Sequence, residues 1–284
     1  MEKLKILVAC HKADKNIKTE PPYYPIQVGA SLHPEVELGF QKDNEGDNIS
    51  EKNQEWCELT AIYWGWKNLK EVEYAGLCHY RRYFDANITK DNIDSLMKGK
   101  DIILIQSIIS SSKMRNYTGL QYAASQEDFW LYADSFLGIH PEFRESFTKY
   151  YFNYNKFHPY TMFIARKDIY DDFCEFIFPV FYELEKKLKP HSYSRQNRFI
   201  AYCGEWSLGL YVVCRNLKVQ GLPLLMYNGD SEIRVNKTRY FFTRLHNILL
   251  YFINNITVKR KNKLSVPPDV ILGLKADGIT LNNI

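Results

Sequence analysis

Apolar residues in this chain fall into short continuous runs separated by longer stretches at helical spacing. Lys5-Ile-Leu-Val-Ala-Cys10 is one such run, and its lack of polar alternation predicts a strand buried on both faces of a parallel sheet. Glu73-Tyr-Ala-Gly-Leu-Cys78 and Asp101-Ile-Ile-Leu-Ile105 repeat the signature, and His158–Ala165 and Val219–Tyr227 predict two further strands. Between them, Trp56, Leu59, Tyr63, Trp66 and Leu69 recur at helical spacing, and Ser50 is placed to cap the helix they predict. Ser125–Tyr151 predicts helix with a break near His140-Pro141. Asp168 is expected to cap a helix carrying Ile169, Phe173, Phe176, Ile177, Phe181 and Leu184, kinked at Pro179. A last helix is expected from about Glu205 to Asn216. Strands alternating with helices indicate an α/β sheet.

Composition narrows the class without changing that picture. A chain of 284 residues, 45% apolar and 25% charged, can bury a sizeable core without disulfides or metals, so intrinsic disorder and collagen-like structure are excluded. Cysteines at 10, 57, 78, 174, 203 and 214 form no CxxC pair and match neither a disulfide framework nor a zinc site. Reduced thiols in a cytosolic protein are expected. Met1–Lys5 runs straight into the first strand, so no signal peptide is expected.

Charge does change the picture. The net charge is +4, yet Ile233–Pro268 holds eight basic residues and no acid, which leaves −4 for the rest of the chain. The same segment places Phe241, Leu245, Ile248, Phe252 and Ile256 on one helical face. Two readings stand: a cationic amphipathic helix lying on an anionic membrane surface through residues 238–263, or a terminal helix packed on the domain with a solvated basic tail. Leu245–Val258 is too short and too polar to span a bilayer. Nucleic acid is not expected as a partner, because no DNA- or RNA-binding module pattern occurs. The expected organisation is one domain over 1–232 and a basic amphipathic segment over 233–284.

Ligands of open α/β sheets sit at the C-terminal ends of strands, which makes His11, Lys12 and the loop to Gly29 candidates. His79-Tyr-Arg-Arg-Tyr83 follows the second strand, and alternation would put Tyr80 and Arg82 on one face with His79, Arg81 and Tyr83 on the other. Paired guanidiniums there match the oxygens of a diphosphate; the competing reading is a surface pair bridging carboxylates. Glu205, expected where a loop becomes a helix, is either a general base for a hydroxyl acceptor or an acid that suits the helix dipole. His158 is either a ligand contact or a buried hydrogen-bonded histidine. GxGxxG, GxxxxGK[ST], GxSxG and Asp-x-Asp are all absent. The nearest acidic pairs, Asp43-Asn-Glu45 and Asp230-Ser-Glu232, read as loop charges.

Ordered stretches resemble the DUF4422 glycosyltransferases of bacterial capsule, exopolysaccharide and lipopolysaccharide clusters: Ile6–Lys12, Tyr24–Gly29, Asp47–Asn53 with Cys57–Asn68, and Gly76–Phe84. His158–Phe178 and the Glu205 helix extend the resemblance, which covers about residues 4–228. It implies a GT-A-like fold: a Rossmann-type, mixed and mostly parallel sheet flanked by helices. It also implies a nucleotide-sugar donor, usually UDP-linked, and transfer of a hexose such as galactose or galactofuranose. His11, Lys12 and Gly29 would then lie near the nucleotide, and His79, Arg81 and Arg82 would occupy the strand end where many GT-A enzymes hold Asp-x-Asp. Glu205 would match the base of inverting members. Without Asp-x-Asp, a Mn²⁺ or Mg²⁺ cofactor is not assured, and the arginines or Lys12 would meet the diphosphate charge. The expected enzyme works at the inner face of the cell membrane on a lipid-linked oligosaccharide. The alternative is a non-catalytic membrane-surface or sugar-binding protein on the same fold.

Overall fold

The computed structural model describes residues 2–112, 115–121, 125–189, 196–257 and 263–284. The strands are β1 (Glu2–Cys10), β2 (Tyr23–Gln27), β3 (Gln41–Lys42), β4 (Val72–His79), β5 (Arg82–Phe84), β6 (Ile102–Ile105), β7 (Ile108–Ile109), β8 (Lys156–Phe157), β9 (Phe163–Arg166), β10 (Val219–Leu222), β11 (Leu224–Asn228) and β12 (Ser231–Arg234). The helices are α1 (Asn53–Trp56), α2 (Leu59–Asn68), α3 (Ile93–Leu96), α4 (Arg115–Gln121), α5 (Gln126–Ile139), α6 (Arg144–Phe152), α7 (Lys167–Lys187), α8 (Phe199–Cys214), α9 (Lys237–Thr257) and α10 (Pro268–Ala276).

Two compact units divide the chain. The first comprises Met1–Ser107, His158–Cys174 and Leu217–Lys237; the second comprises Ile108–Phe157, Glu175–Asn216 and Thr238–Ile284. Each segment is continuous in sequence with the other unit and carries no linker composition, which is why the division is invisible in the pattern.

In the first unit the strand order is β10-β6-β9-β4-β1-β2-β3. The pairs β1/β2, β1/β4, β2/β3 and β6/β10 are parallel, while β9 runs antiparallel between β4 and β6. Leu4, Ile6, Val8 and Cys10 of β1 join Cys78, Ile103, Ile105 and Ile164 in the core on one face. On the other, Leu7 meets α2 at Gly65, and Tyr170 of α7 donates to the Ile62 carbonyl at 3.0 Å. The continuous apolar runs follow from this double coverage. Gly76 of β4 sits opposite Ile164 of β9, where a Cβ would run into the Phe163 carbonyl and lie 2.8 Å from Ile164 Cγ1. Gly76→Ala therefore lowers stability by about 3 kcal/mol, because two hydrogen-bonded backbones would have to part. Urea denaturation checks this, and an unchanged midpoint would show that β9 can shift.

Several sequence expectations differ in detail. Ser50 caps no helix; a 3₁₀ turn covers Ser50–Lys52, and the chain breaks again at Cys57 (φ 48°) between α1 and α2. The break shifts the helical phase, so α2 buries Leu59, Thr60, Ala61, Ile62 and Gly65 rather than one stripe from Trp56 to Leu69. Helix α7 begins at Lys167, with Asp168 already inside its first turn, and runs unbroken through the exposed Pro179. The strand expected over His158–Ala165 is only Phe163–Arg166, and Pro223 divides the last expected strand into β10 and β11.

The second unit has an aromatic core. Phe129, Trp130, Tyr132, Phe136, Phe147, Tyr150, Tyr151 and Tyr211 are almost completely buried. Trp130 stacks on Phe152 with centroids 5.9 Å apart, and Trp206 stacks on Phe157 at 4.4 Å. Much of the aromatic excess is thus core material. Helix α5 opens on a capping box between Ser125 and Asp128, and the predicted break at His140-Pro141 is present. Buried Asp134 accepts from the amides of Asn282 and Asn283 at 2.8 and 2.7 Å, tying residues 282–283 to α5. None of the six cysteines is joined in a disulfide.

Candidate functional site

The chain leaves β1 toward β2 on one side and returns as β4 on the other, both parallel to it. This makes the β1/β4 boundary a topological switch point, where ligands of open α/β sheets bind beyond the C-terminal strand ends. His11 and Lys12 follow β1 there, and both are exposed. Across the boundary, the Tyr80 amide donates to the Ala9 carbonyl at 3.2 Å, and the His11 ring meets Tyr80 edge-on at 5.1 Å.

Gly29, beyond β2, is buried instead. Its φ of 71° suits glycine, and a Cβ would lie 2.7 Å from Asn53 Oδ1. Its amide donates to Asp43, a carboxylate with no exposed surface, at 2.9 Å. Asp43 also accepts from the Ala30 amide (3.1 Å), the Thr60 hydroxyl (2.7 Å) and the Ser50 hydroxyl. Asp43 is therefore no loop charge, as its sequence neighbourhood suggested; it ties the β2 loop to the base of α2.

The alternation expected over residues 79–83 does not hold. Strand β4 ends at His79, Tyr80 and Arg81 form a turn, and Arg82 opens β5 directly opposite His79. The two arginines then part ways. Arg81 Nε donates to Asp14 at 2.7 Å, and Asp14, 8% exposed, also accepts from the Asn16 amide at 3.0 Å. That amide first, then Arg81, holds the Asp14 carboxyl below its ordinary range. Arg81 thus takes the carboxylate-bridging role. Arg82 lies over the Tyr160 ring, 4.6 Å from its centroid, and Tyr160 itself has φ 64°, a conformation rarely adopted outside glycine.

His79 Nε2 and Arg82 Nε are both buried without a hydrogen-bond partner, and among the described residues of the first unit they are the only such side-chain atoms. Buried polar groups are normally paired, so this adjacent couple marks a place that a ligand's acceptor oxygens would complete. Burial, aided by Arg82 and opposed by Glu58, pushes the His79 pKa below its ordinary value, which keeps the imidazole neutral near pH 7. Glu58, at the start of α2, accepts from the Thr161 hydroxyl at 2.8 Å. The sequence reading passed over Glu58, although an acid just before a helical apolar run was visible. His158 is no strand residue; its Nδ1 donates to the Ile105 carbonyl at 2.8 Å, beyond the end of β6.

Glu205 belongs to the second unit. Helix α8 starts at Phe199, so Glu205 lies in its second turn rather than at its start, and the helix-dipole argument for it falls away. It is half-buried between Cys203 and Trp206, and its charge reaches the Tyr150 phenol. Burial above all, then neighbouring groups including Glu205, raises that phenol's pKa, and its oxygen has no hydrogen-bond partner.

Residues 5–216 match the family described as Domain of unknown function (DUF4422). The chain belongs to the DUF4422 family. Among solved structures, the apo structure of WbbM, a bifunctional glycosyltransferase, is similar to this DUF4422 chain with a TM-score of 0.72 and 24% identity. The likeness covers 81% of this chain and 46% of that one, so the chain spans about half the length of WbbM. It bears out the GT-A-like α/β fold. No curated protein matches significantly.

Glycosyltransferases of this fold often hold a divalent cation. Among the described residues no three His, Cys, Asp or Glu side chains converge. Asp14, the carboxylate nearest the switch point in sequence, is occupied by Arg81 and Asn16, and Glu58, whose charge reaches His79, accepts from the Thr161 hydroxyl.

Proposed function

We propose that the chain is a glycosyltransferase that moves a hexose from a nucleotide-sugar, UDP-linked, to a lipid-linked oligosaccharide in bacterial surface polysaccharide synthesis. The reading rests above all on the unpaired couple His79 Nε2 and Arg82 Nε at the switch point of a GT-A-like sheet. In it, Arg82 and Lys12 meet the diphosphate charge, and His79 donates from a neutral ring. Arg81 acts through Asp14, fixing the loop after β1 against the β4–β5 turn. Glu205 takes the acceptor hydroxyl proton as that oxygen bonds to the anomeric carbon, and the sugar–phosphate bond breaks to release the nucleoside diphosphate. Galactose and galactofuranose are the first sugars to test, and the enzyme acts peripherally on the cytoplasmic face of the membrane.

Isothermal titration with UDP, followed by a nucleotide-sugar panel, tests the reading. Saturable UDP binding is expected, and Arg82→Gln weakens it about 10- to 100-fold, the worth of one charge-assisted hydrogen bond made in a desolvated site. No saturable binding of UDP or other nucleoside diphosphates would leave a non-catalytic scaffold as the surviving reading.

A further inference from the structure

Helix α9 is docked inside out. Asn247 Nδ2 donates to the Ile109 carbonyl at 2.8 Å, the Tyr251 hydroxyl to the Asn153 carbonyl at 3.2 Å, and Asn254 Nδ2 to the Ser111 carbonyl at 2.9 Å. These three residues lie on one face, and it is the polar face that seats the helix on the second unit. Phe241, Phe242, Leu245, Leu249, Phe252, Ile253 and Ile256 point away, each 44 to 73% exposed. At about 100° per residue they fill an arc of roughly 120° opposite the asparagines, with Arg239 and Arg244 just beyond its two edges. A surface helix ordinarily turns its apolar stripe inward. Here the asparagine anchors hold the stripe outward, so its exposure is built in rather than a failure to pack.

We propose that this face of α9 docks on an anionic lipid bilayer, lying in the interface with its apolar arc among the acyl chains. Charge selects the occupant. Helix α9 itself carries Lys237, Arg239 and Arg244 and no acid, so a second copy of the same face would bring like charge against like. An anionic bilayer offers both an apolar phase and a negative surface, the pairing that cationic amphipathic helices recognise. Among the described residues no helix is long and apolar enough to cross a membrane, which leaves α9 lying on the surface. Lys259, Arg260 and Lys261 lie outside the described residues.

Flotation of the full chain with phosphatidylcholine vesicles, with and without phosphatidylglycerol, tests this without any sugar lipid, so the result is independent of the transfer reaction. The wild type is expected to float with the anionic vesicles and to be released by high salt. The triple variant Phe241→Ser, Phe252→Ser, Ile256→Ser, which alters exposed side chains only, loses at least about tenfold in partitioning while keeping its circular dichroism spectrum. Reversal of Lys259, Arg260 and Lys261 to glutamate weakens binding to the anionic vesicles alone. No flotation with anionic vesicles, flotation unaffected by the serine variant, or a dimer in solution that the serine variant dissociates would each overturn the proposal.

Discussion

Asp43→Ala is expected to destabilise the protein by about 4 kcal/mol, because it strips a buried site of its only shared acceptor for several donors. Each carboxylate oxygen takes one backbone amide and one hydroxyl: Oδ2 from Gly29 and Thr60, Oδ1 from Ala30 and Ser50. The hydroxyls can rotate toward other acceptors, Thr60 toward the Cys57 carbonyl that it already reaches at 3.1 Å. The amides of Gly29 and Ala30 cannot turn, since φ 71° at Gly29 is fixed by the loop they close. Asp43→Asn separates the contributions. Its one carbonyl oxygen can still serve one amide, and Ser50 or Thr60 can reverse to accept from the new NH₂ group. The loss should then fall to about 2 kcal/mol, the cost of one buried amide left unpaired. Urea denaturation of both variants measures the ordering. An alanine variant within about 1 kcal/mol of wild type would mean that water replaces the carboxylate and that the knot is not structural.

The legibility of this fold tracked how strongly each element depends on continuous burial. Strands β1, β4 and β6 were readable because both faces of the sheet are covered, so nothing polar interrupts the run. Strand β2 was hidden by Pro25, which argues against a central strand. The proline is tolerated because β3 pairs only with Ile26 and Gln27, leaving the missing amide without a neighbour to disappoint. The β4–β5 reversal carries no glycine, asparagine or proline in its two turn residues, so residues 79–84 looked like one strand. Helix α8 is apolar on nearly every side, which removes the period and the start signal that would have moved its N-terminus back to Phe199.

The candidate site was legible in place more than in detail. His11, Lys12, His79 and Arg82 follow from a rule about strand ends, and the sheet topology puts the switch point there. What each side chain touches depends on partners remote in sequence. Asp14 is 67 residues from Arg81, and Thr161 is 103 from Glu58, so neither pairing has a local signature. The periodicity of α9 was equally plain, but amphipathic spacing says only that a helix has two faces. Which face turns outward was decided by Asn247, Tyr251 and Asn254 meeting carbonyls of another part of the chain.

Glu205→Gln is expected to lower the rate of hexose transfer by about 10²- to 10⁴-fold, the range supplied by a positioned general base, while UDP affinity stays at the wild-type value. Glutamine keeps the shape and much of the polarity of the side chain, so α8 should hold its packing between buried Cys203 and Trp206. The pH profile separates a lost base from a structural defect: the wild-type rate should fall on the acid side as a carboxylate protonates, and that limb should vanish in the variant. Glu58→Gln is the matched control, since Glu58 is the carboxylate whose charge reaches His79 at the sheet edge and whose oxygen is held by Thr161. If Glu205→Gln kept full transfer while Glu58→Gln abolished it, the base would be the residue that leads into α2 of the first unit. Deprotonation would then occur beside the imidazole whose Nε2 is buried without a hydrogen-bond partner. If both variants lost transfer, the split between kcat and the donor KM would show which carboxylate acts only in the transition state.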